Sequence, residues 1–137
     1  MEITKFYVAA KGIVLNEENK ILMIQRVDSD DYGGMWEFPG GTMEYGELPE
    51  ECLVREIKEE VNLDVEIVKY LYSWKWMKRD LQVAGFSYLC RCKDTKPLQL
   101  SGEHKSYKWV SVDCILNSEL DGDIKNNLRK VMDKLYL

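Results

Sequence analysis

The segment spanning residues 48–61 constrains the fold of this chain more than any other part of its sequence. Pro49 suits the first position of a helix, and Glu50 and Glu51 follow it at the positive end of the helix dipole. Aliphatic side chains then recur with helical spacing, at Leu53, Ile57 and Val61. The pattern predicts an amphipathic helix over residues 48–61 that buries this aliphatic stripe.

A second stripe of the same helix is acidic. Glu56, Glu59 and Glu60 stand at positions i, i+3 and i+4, so their carboxylates lie side by side on the helix surface. Like charges this close repel and raise one another's pKa unless a cation neutralises them. Mg²⁺ suits such a cluster because it prefers oxygen ligands, and Mn²⁺ is a substitute. The spacing alone favours an ordinary solvated acidic face, and the neighbouring residues reverse this preference.

Residues that favour strands predict a sheet in the rest of the chain. They are concentrated in five segments, which we interpret as two hairpins and one further strand: residues 6–15 and 20–26, 65–77 and 81–92, and 107–110. The polar segment 27–35 predicts an exposed loop. Two helices are predicted to close the chain, over residues 111–116 and from residues 121–123 to residue 135. This order predicts an α/β fold, an α/β/α sandwich with a mixed β-sheet.

Composition narrows the class of protein. The chain has 137 residues, 45% of them hydrophobic and 31% charged, which predicts a single globular domain over residues 1–137. Its net charge of -5 argues against binding to a nucleic-acid polymer. No stretch is long and apolar enough to span a membrane, and we expect a cytoplasmic protein, either a monomer or a homodimer. The cysteines lack zinc-ligand spacing, and Cys90 and Cys92 are expected to be buried, reduced thiols on one face of a strand.

The acidic helix belongs to a longer motif. Eight residues stand in the spacing G-x5-E-x7-R-E-U-x-E-E-x-x-U, where U is a bulky aliphatic residue: Gly41, Glu47, Arg55, Glu56, Ile57, Glu59, Glu60 and Leu63. This spacing closely resembles the Nudix box, the signature of the Nudix hydrolase family. One position departs from it, because Asn62 stands where the box normally has glycine. Asparagine adopts the left-handed conformation more readily than other non-glycine residues, so we expect it to end the helix as glycine would.

The resemblance implies the Nudix fold and a Mg²⁺-dependent hydrolase of phosphoric anhydride bonds. It implies that the carboxylates of Glu56, Glu59 and Glu60 and the backbone carbonyl of Gly40 bind the metal. The reaction that the resemblance implies is attack of water on one phosphorus of a pyrophosphate, for which a bound Mg²⁺ would supply neutralisation of the developing charge. Glu59 is the candidate general base, and Glu56 is nearly as good a candidate.

Four further residues take roles from the same resemblance. Arg55 and Glu47 are supporting residues, because a forked hydrogen bond from the guanidinium would fix the loop at Glu47 and Gly41 against the helix. A structural salt bridge describes this pair equally well. Glu103 resembles a loop glutamate that some MutT-type members use as a metal ligand or base. We interpret its neighbour His104 as a solvent-facing residue, with a proton carrier as the alternative.

The substrate is indicated by residues 36–41, Trp-Glu-Phe-Pro-Gly-Gly, which look like the corresponding stretch of MutT-type members. Those enzymes act on nucleoside triphosphates, so the resemblance favours conversion of a (d)NTP to a (d)NMP and pyrophosphate. Trp36, Arg26 and Asp123 are the residues expected to bind this small-molecule nucleotide, Asp123 by contact with a base edge. A nucleoside diphosphate sugar or another NDP-X compound is the alternative substrate. A non-catalytic Nudix-fold sensor is disfavoured because all three box glutamates are present.

Aromatic residues alternate along the predicted strand 65–77. Four of them are expected to share one face of the sheet: Tyr70, Tyr72, Trp74 and Trp76. Such a stripe more often packs in a core or on a sheet, and stacking against a nucleotide base is the alternative.

Overall fold

The computed structural model describes residues 4–29, 32–93, 96–120 and 122–135. Within these ranges the elements are β1 (Lys5–Leu15), β2 (Ile21–Arg26), β3 (Trp36–Glu37), β4 (Gly40–Thr42), α1 (Pro49–Val61), β5 (Glu66–Lys78), β6 (Leu81–Arg91), β7 (His104–Val110), α2 (Val112–Leu116) and α3 (Gly122–Leu135). Residues 30–31 of the predicted loop and residue 121 at the predicted start of the last helix lie outside the described ranges. In the described part of the chain, no helix has the length and apolar character needed to cross a membrane.

The strands join into one mixed sheet. β1 and β6 run parallel over their whole lengths, whereas β5 and β6 form the predicted antiparallel hairpin and β2 pairs antiparallel with β7. The predicted mixed sheet is therefore confirmed, although β7 begins at His104 rather than at Tyr107. β3 and β4 are not predicted, because strands of two and three residues beside proline and glycine are too short to show alternation.

Apolar clusters on the two faces of the sheet confirm the α/β/α sandwich. On one face α1 packs its predicted stripe of Leu53, Ile57 and Val61, and all three side chains are fully buried. Burial of each such side chain stabilises the fold by about 1.5–3 kcal/mol. Cys90 and Cys92 lie on this face as buried free thiols, as predicted. On the other face α2 and α3 contribute five buried aliphatic residues: Val112, Ile115, Leu128, Val131 and Leu135.

Both ends of α1 are fixed by local hydrogen bonds. Pro49 is the first helical residue, and the Glu51 carboxylate accepts a hydrogen bond from the Leu48 N–H at 2.9 Å. At the other end Asn62 adopts the left-handed conformation, with φ 57° and ψ 42°, and donates its backbone N–H to Lys58 O. The expectation that asparagine replaces the usual glycine at this cap is confirmed. The position of the acidic residues along α1 is therefore fixed.

A gap between β1 and β2 positions the functional residues. The two strands pair only where Leu15 lies opposite Ile21. Farther along, β3 pairs with β2 and β4 pairs with β1, so the segment from β3 to β4 fills the space between the diverging strands. Side chains in this gap are able to reach both the α1 face and the α3 face of the sheet.

A bulge in β5 changes the direction of one predicted aromatic residue. The register of β5 against β6 shifts between Tyr70 and Tyr72, so these two side chains point to opposite faces. The Tyr70 ring packs against Phe86 and Tyr88 on the α1 face, whereas Tyr72 packs with the apolar cluster beneath α2 and α3. The prediction that Tyr70 shares a face with the other three aromatic residues is wrong, because strict alternation ends at a bulge.

Candidate active site

Two of the three box glutamates contact β4 directly. Glu60 is buried, and its Oε1 accepts a hydrogen bond from the Gly40 N–H at 2.8 Å. The Glu56 carboxylate lies directly against Gly41, where a Cβ would overlap it, so a larger residue at this position would displace the carboxylate. Glu59 is the most exposed of the three, with 58% of its side chain accessible. The acidic stripe of α1 therefore faces the backbone of Gly40 and Gly41.

Arg55 ties this cluster to the loop before the helix. Its Nε and Nη2 donate to the two oxygens of Glu47 at 2.6 and 2.9 Å, which is the predicted forked contact. Its Nη1 donates to Glu56 Oε1 at 3.0 Å and to Glu59 Oε2 at 3.1 Å. The hydrogen bond from Arg55 is the main cause that lowers the pKa of Glu47 to about 2. A single guanidinium thus holds three carboxylates in fixed relative positions.

The electrostatics of the cluster favour a bound cation. Burial raises the pKa of Glu60 to about 7, although Lys11 and the Gly40 N–H act in the opposite direction. Burial also raises the pKa of Glu56, and the charges of Glu59 and Glu103 add to this effect. The predicted residue Glu103 is exposed but close enough to act on Glu56. Hard carboxylate oxygens at this density fit Mg²⁺, which would favour their ionised forms.

Glu37, on β3, is the centre of a charged network beside Glu60. It accepts hydrogen bonds from Arg26 Nη1 at 3.0 Å and from His104 Nε2 at 2.9 Å, and Lys11 Nζ lies 3.6 Å from its other oxygen. His104 Nε2 also lies 3.8 Å from Glu60 Oε2. Burial alone would raise the pKa of Glu37, but the hydrogen bond from His104 and the charges of Lys11 and Arg26 outweigh it and lower the pKa to about 2.

The interpretation of His104 as a solvent-facing residue is wrong. Its side chain is fully buried, because β7 already begins at this residue and pairs it with Arg26 of β2. Glu37 is ionised and only accepts, so the Nε2 atom of His104 carries the hydrogen. Its Nδ1 atom has no hydrogen-bond partner within the described ranges. A lone histidine shows no periodicity, so the sequence carries no signal for this burial.

Glu37, Glu60 and His104 also place one ligand atom each within 4.8 Å of one another. This spacing would permit a cation. However, Lys11 and Arg26 already neutralise Glu37, so we interpret the group as a charge-paired network that supports Glu60.

We expect Glu37→Gln to lower the free energy of unfolding at pH 7 by about 3 kcal/mol, the equivalent of a pKa change from 4.5 to about 2. The pKa is lower in the folded protein, so this stabilisation is present above about pH 4.5 and is lost as the pH falls toward 2. Urea unfolding of both proteins at pH 7, 5 and 3 measures the difference, which should narrow at pH 3. A difference that stays constant with pH would contradict the ion-pair account.

A cleft of about 880 Å³ begins at this network and extends to α3. It is lined by the three residues predicted to bind substrate, Arg26, Trp36 and Asp123, which the fold brings together. Thr42 also lines the cleft, and its carbonyl accepts a hydrogen bond from Arg55 Nη2 at 3.2 Å, so the cleft adjoins the carboxylate cluster. The volume suits a small-molecule ligand.

One wall of the cleft is aromatic. Tyr72, Trp74 and Trp76 of β5 line it, as the alternation predicts for these three residues. The Trp74 ring lies against Gly85, where a Cβ would overlap it, and its Nε1 donates to Ser87 Oγ at 3.0 Å. These contacts hold a flat apolar surface opposite α3, which is suitable for stacking a ring.

Comparisons with known proteins agree with this geometry. The NUDIX domain family matches residues 5–135. An 8-oxo-dGTP diphosphatase of Escherichia coli strain K12 is 44% identical over 103 residues, which cover 75% of this chain and 78% of that protein. An 8-oxo-dGTP diphosphatase of Proteus vulgaris is 42% identical over 65 residues, 47% of this chain and 57% of that protein. The crystal structure of a MutT protein from Methanosarcina mazei Go1 has a TM-score of 0.87 at 20% identity, and the match covers 100% of each chain.

An ADP-ribose pyrophosphatase of Methanocaldococcus jannaschii is 41% identical over 73 residues, 53% of this chain and 42% of that protein. The chain thus spans less than two thirds of the length of this relative and of the Proteus vulgaris protein. The fold and the carboxylate cluster define an α/β/α protein with an acidic centre suited to a cation. The match over residues 5–135 shows that the chain belongs to the Nudix hydrolase family, and its relatives make it MutT-like.

Proposed function

We propose that the chain is a Mg²⁺-dependent pyrophosphohydrolase that converts a (d)NTP to a (d)NMP and pyrophosphate. The observation that carries this proposal is the carboxylate cluster beside a cleft of about 880 Å³, in which Glu60 and Glu56 contact Gly40 and Gly41 and Arg55 links Glu56 to Glu59. The relatives named 8-oxo-dGTP diphosphatase support a triphosphate substrate and a role in nucleotide clearance.

The box glutamates have separate roles in this proposal. Together with the carbonyl of Gly40 and the carboxylate of Glu103 they would hold Mg²⁺, which supplies charge neutralisation and polarisation of water when bound. Glu59 accepts the proton of the attacking water, since it is the most exposed of the three box glutamates. Glu56 is the alternative base, because its raised pKa also suits proton transfer.

The remaining residues position the two ends of the substrate. Arg55, fixed by its fork to Glu47, orients the carboxylates of α1 and keeps them beside β4. Trp36 offers a ring for stacking. Arg26 offers a positive charge to the phosphates, and Asp123 offers a carboxylate to a base edge. The nucleoside thus lies in the cleft, and the pyrophosphate extends toward the glutamates.

An NDP-X compound is the second candidate substrate. The relative named ADP-ribose pyrophosphatase favours it, and an open cleft with an aromatic wall accepts a second ring or sugar as readily as a base. Both candidates use the same glutamates, so only the products distinguish them.

A hydrolysis panel tests the proposal. Canonical and oxidised (d)NTPs, NDP-sugars, ADP-ribose and dinucleoside polyphosphates are incubated with Mg²⁺ or with EDTA, and products are separated by ion-exchange chromatography. The expected result is NMP and pyrophosphate from a triphosphate, with no turnover in EDTA. Faster hydrolysis of an NDP-X compound would transfer the proposal to that class. Nucleotide binding without any turnover would contradict the enzymatic proposal.

A further inference from the structure

Lys11 lies in the gap between β1 and β2, where side chains are able to reach both faces of the sheet. Its neighbour Ala10 points to the α1 face, so alternation turns Lys11 toward the α3 face, where it lines the cleft. Its pairing partner on β4 is Gly40, whose N–H binds the Glu60 carboxylate. Lys11 therefore stands between the cleft and the carboxylate cluster.

The ammonium group of Lys11 has donors left for a ligand. Its Nζ donates to Phe38 O at 3.3 Å, and its ion pair with Glu37, at 3.6 Å, is longer than a hydrogen bond. An ammonium has three N–H donors, so two are uncommitted among the contacts of the described residues. The side chain is 23% exposed, so the group is held in place and still open to the cleft.

The position of the Lys11 ammonium group suits the phosphate bonded to the nucleoside. When a base occupies the aromatic end of the cleft and the terminal phosphates lie at the carboxylates, the phosphate bonded to the nucleoside lies between them. That phosphate carries a negative charge and has acceptor oxygens, which two free ammonium donors would satisfy. The charge of Glu37, 3.6 Å from the Nζ atom, orients the ammonium group.

We infer that Lys11 binds the phosphate bonded to the nucleoside and thereby positions a nucleotide between the cleft and the box glutamates, an inference that rests on the proposed function. Lys11 is a substrate-binding residue that the sequence motifs leave unassigned. Lys11 would strengthen the binding of nucleotides but not of nucleosides, whereas the aromatic wall would contact both in the same way.

The test measures binding in EDTA, so that neither turnover nor metal affects the result. Calorimetric titrations with dAMP, dCMP, dGMP and dTMP and with the matching deoxynucleosides compare wild type with three variants. Lys11→Met removes the charge but keeps the length of the side chain, and Lys11→Arg keeps the charge. Lys20→Met is the control, because Lys20 lies on the exposed turn between β1 and β2.

Lys11→Met should weaken binding of the preferred dNMP at least about tenfold, the loss expected for one charge-assisted hydrogen bond. Its affinity for the deoxynucleoside should stay within about twofold of wild type, and Lys11→Arg should recover most of the dNMP affinity. Unchanged dNMP binding in Lys11→Met, or equal weakening of dNMP and deoxynucleoside, overturns the assignment but leaves the proposed hydrolysis intact. Failure of the wild type to bind any dNMP also overturns the assignment of Lys11, whereas the hydrolysis panel decides the proposed function.

Discussion

Glu59→Gln is expected to lower kcat for triphosphate hydrolysis by about a thousandfold, within the range of about 10²–10⁴ found for removal of a general base. The protein should remain folded, because Glu59 is largely exposed and its contact is with Arg55, which keeps its fork to Glu47. The free energy of unfolding should therefore change by less than about 0.5 kcal/mol. Steady-state kinetics and urea unfolding of the same preparation measure both quantities.

Glu66→Gln is the matched control for this variant. Glu66 is an exposed glutamate at the start of β5, and its replacement should change neither kcat nor stability. Glu56→Gln is measured in parallel because Glu56 is the alternative base. If the Glu59→Gln protein is active and the Glu56→Gln protein is inactive, the general base is Glu56.

Ile57→Asp is expected to prevent folding at 25 °C. Ile57 is fully buried between α1 and the sheet, and a Cβ on Gly12 would lie 3.3 Å from its Cδ1, so the packing there is close. Ile57 belongs to an apolar cluster, and the cost of burying a carboxylate there, added to the lost apolar contact, is about 5 kcal/mol or more. That is comparable with the whole stability of a domain of this size. Far-UV circular dichroism should show loss of structure.

Two controls separate burial from the change of helix sequence. Ile57→Leu conserves volume and should cost less than about 1.5 kcal/mol. Val54→Asp places the same charge on α1 at an exposed position and should leave the protein folded. A folded Ile57→Asp protein would contradict the packing of α1 described above.

Local patterns in the sequence predict the elements that carry the box. The spacing of Leu53, Ile57 and Val61 predicts both α1 and its buried face, and Asn62 ends the helix in the left-handed conformation as expected. The forked contact between Arg55 and Glu47 also follows from the motif. These features depend on residues that are near one another in the chain.

Contacts between distant segments are not predictable in this way. Glu37 meets His104 across 67 positions of sequence, and its contacts to Lys11 and Arg26 depend on how β1 and β2 diverge. None of these residues belongs to a periodic pattern that would indicate the network. The prediction for the face of Tyr70 is wrong for a related reason, since the bulge in β5 depends on the pairing of β5 with β6.

The proposed hydrolysis depends on a divalent cation held by the carboxylates of α1. Its most direct test is the rate of triphosphate hydrolysis against free Mg²⁺ for wild type and Glu60→Gln. The amide oxygen of the variant still accepts the Gly40 N–H, so the fold is retained while the charge is lost. At pH 8, above the pKa of about 7 for Glu60, the wild type is ionised, and the half-saturating Mg²⁺ concentration should rise at least about tenfold in the variant. An unchanged dependence on Mg²⁺ would contradict the assignment of the metal to this cluster.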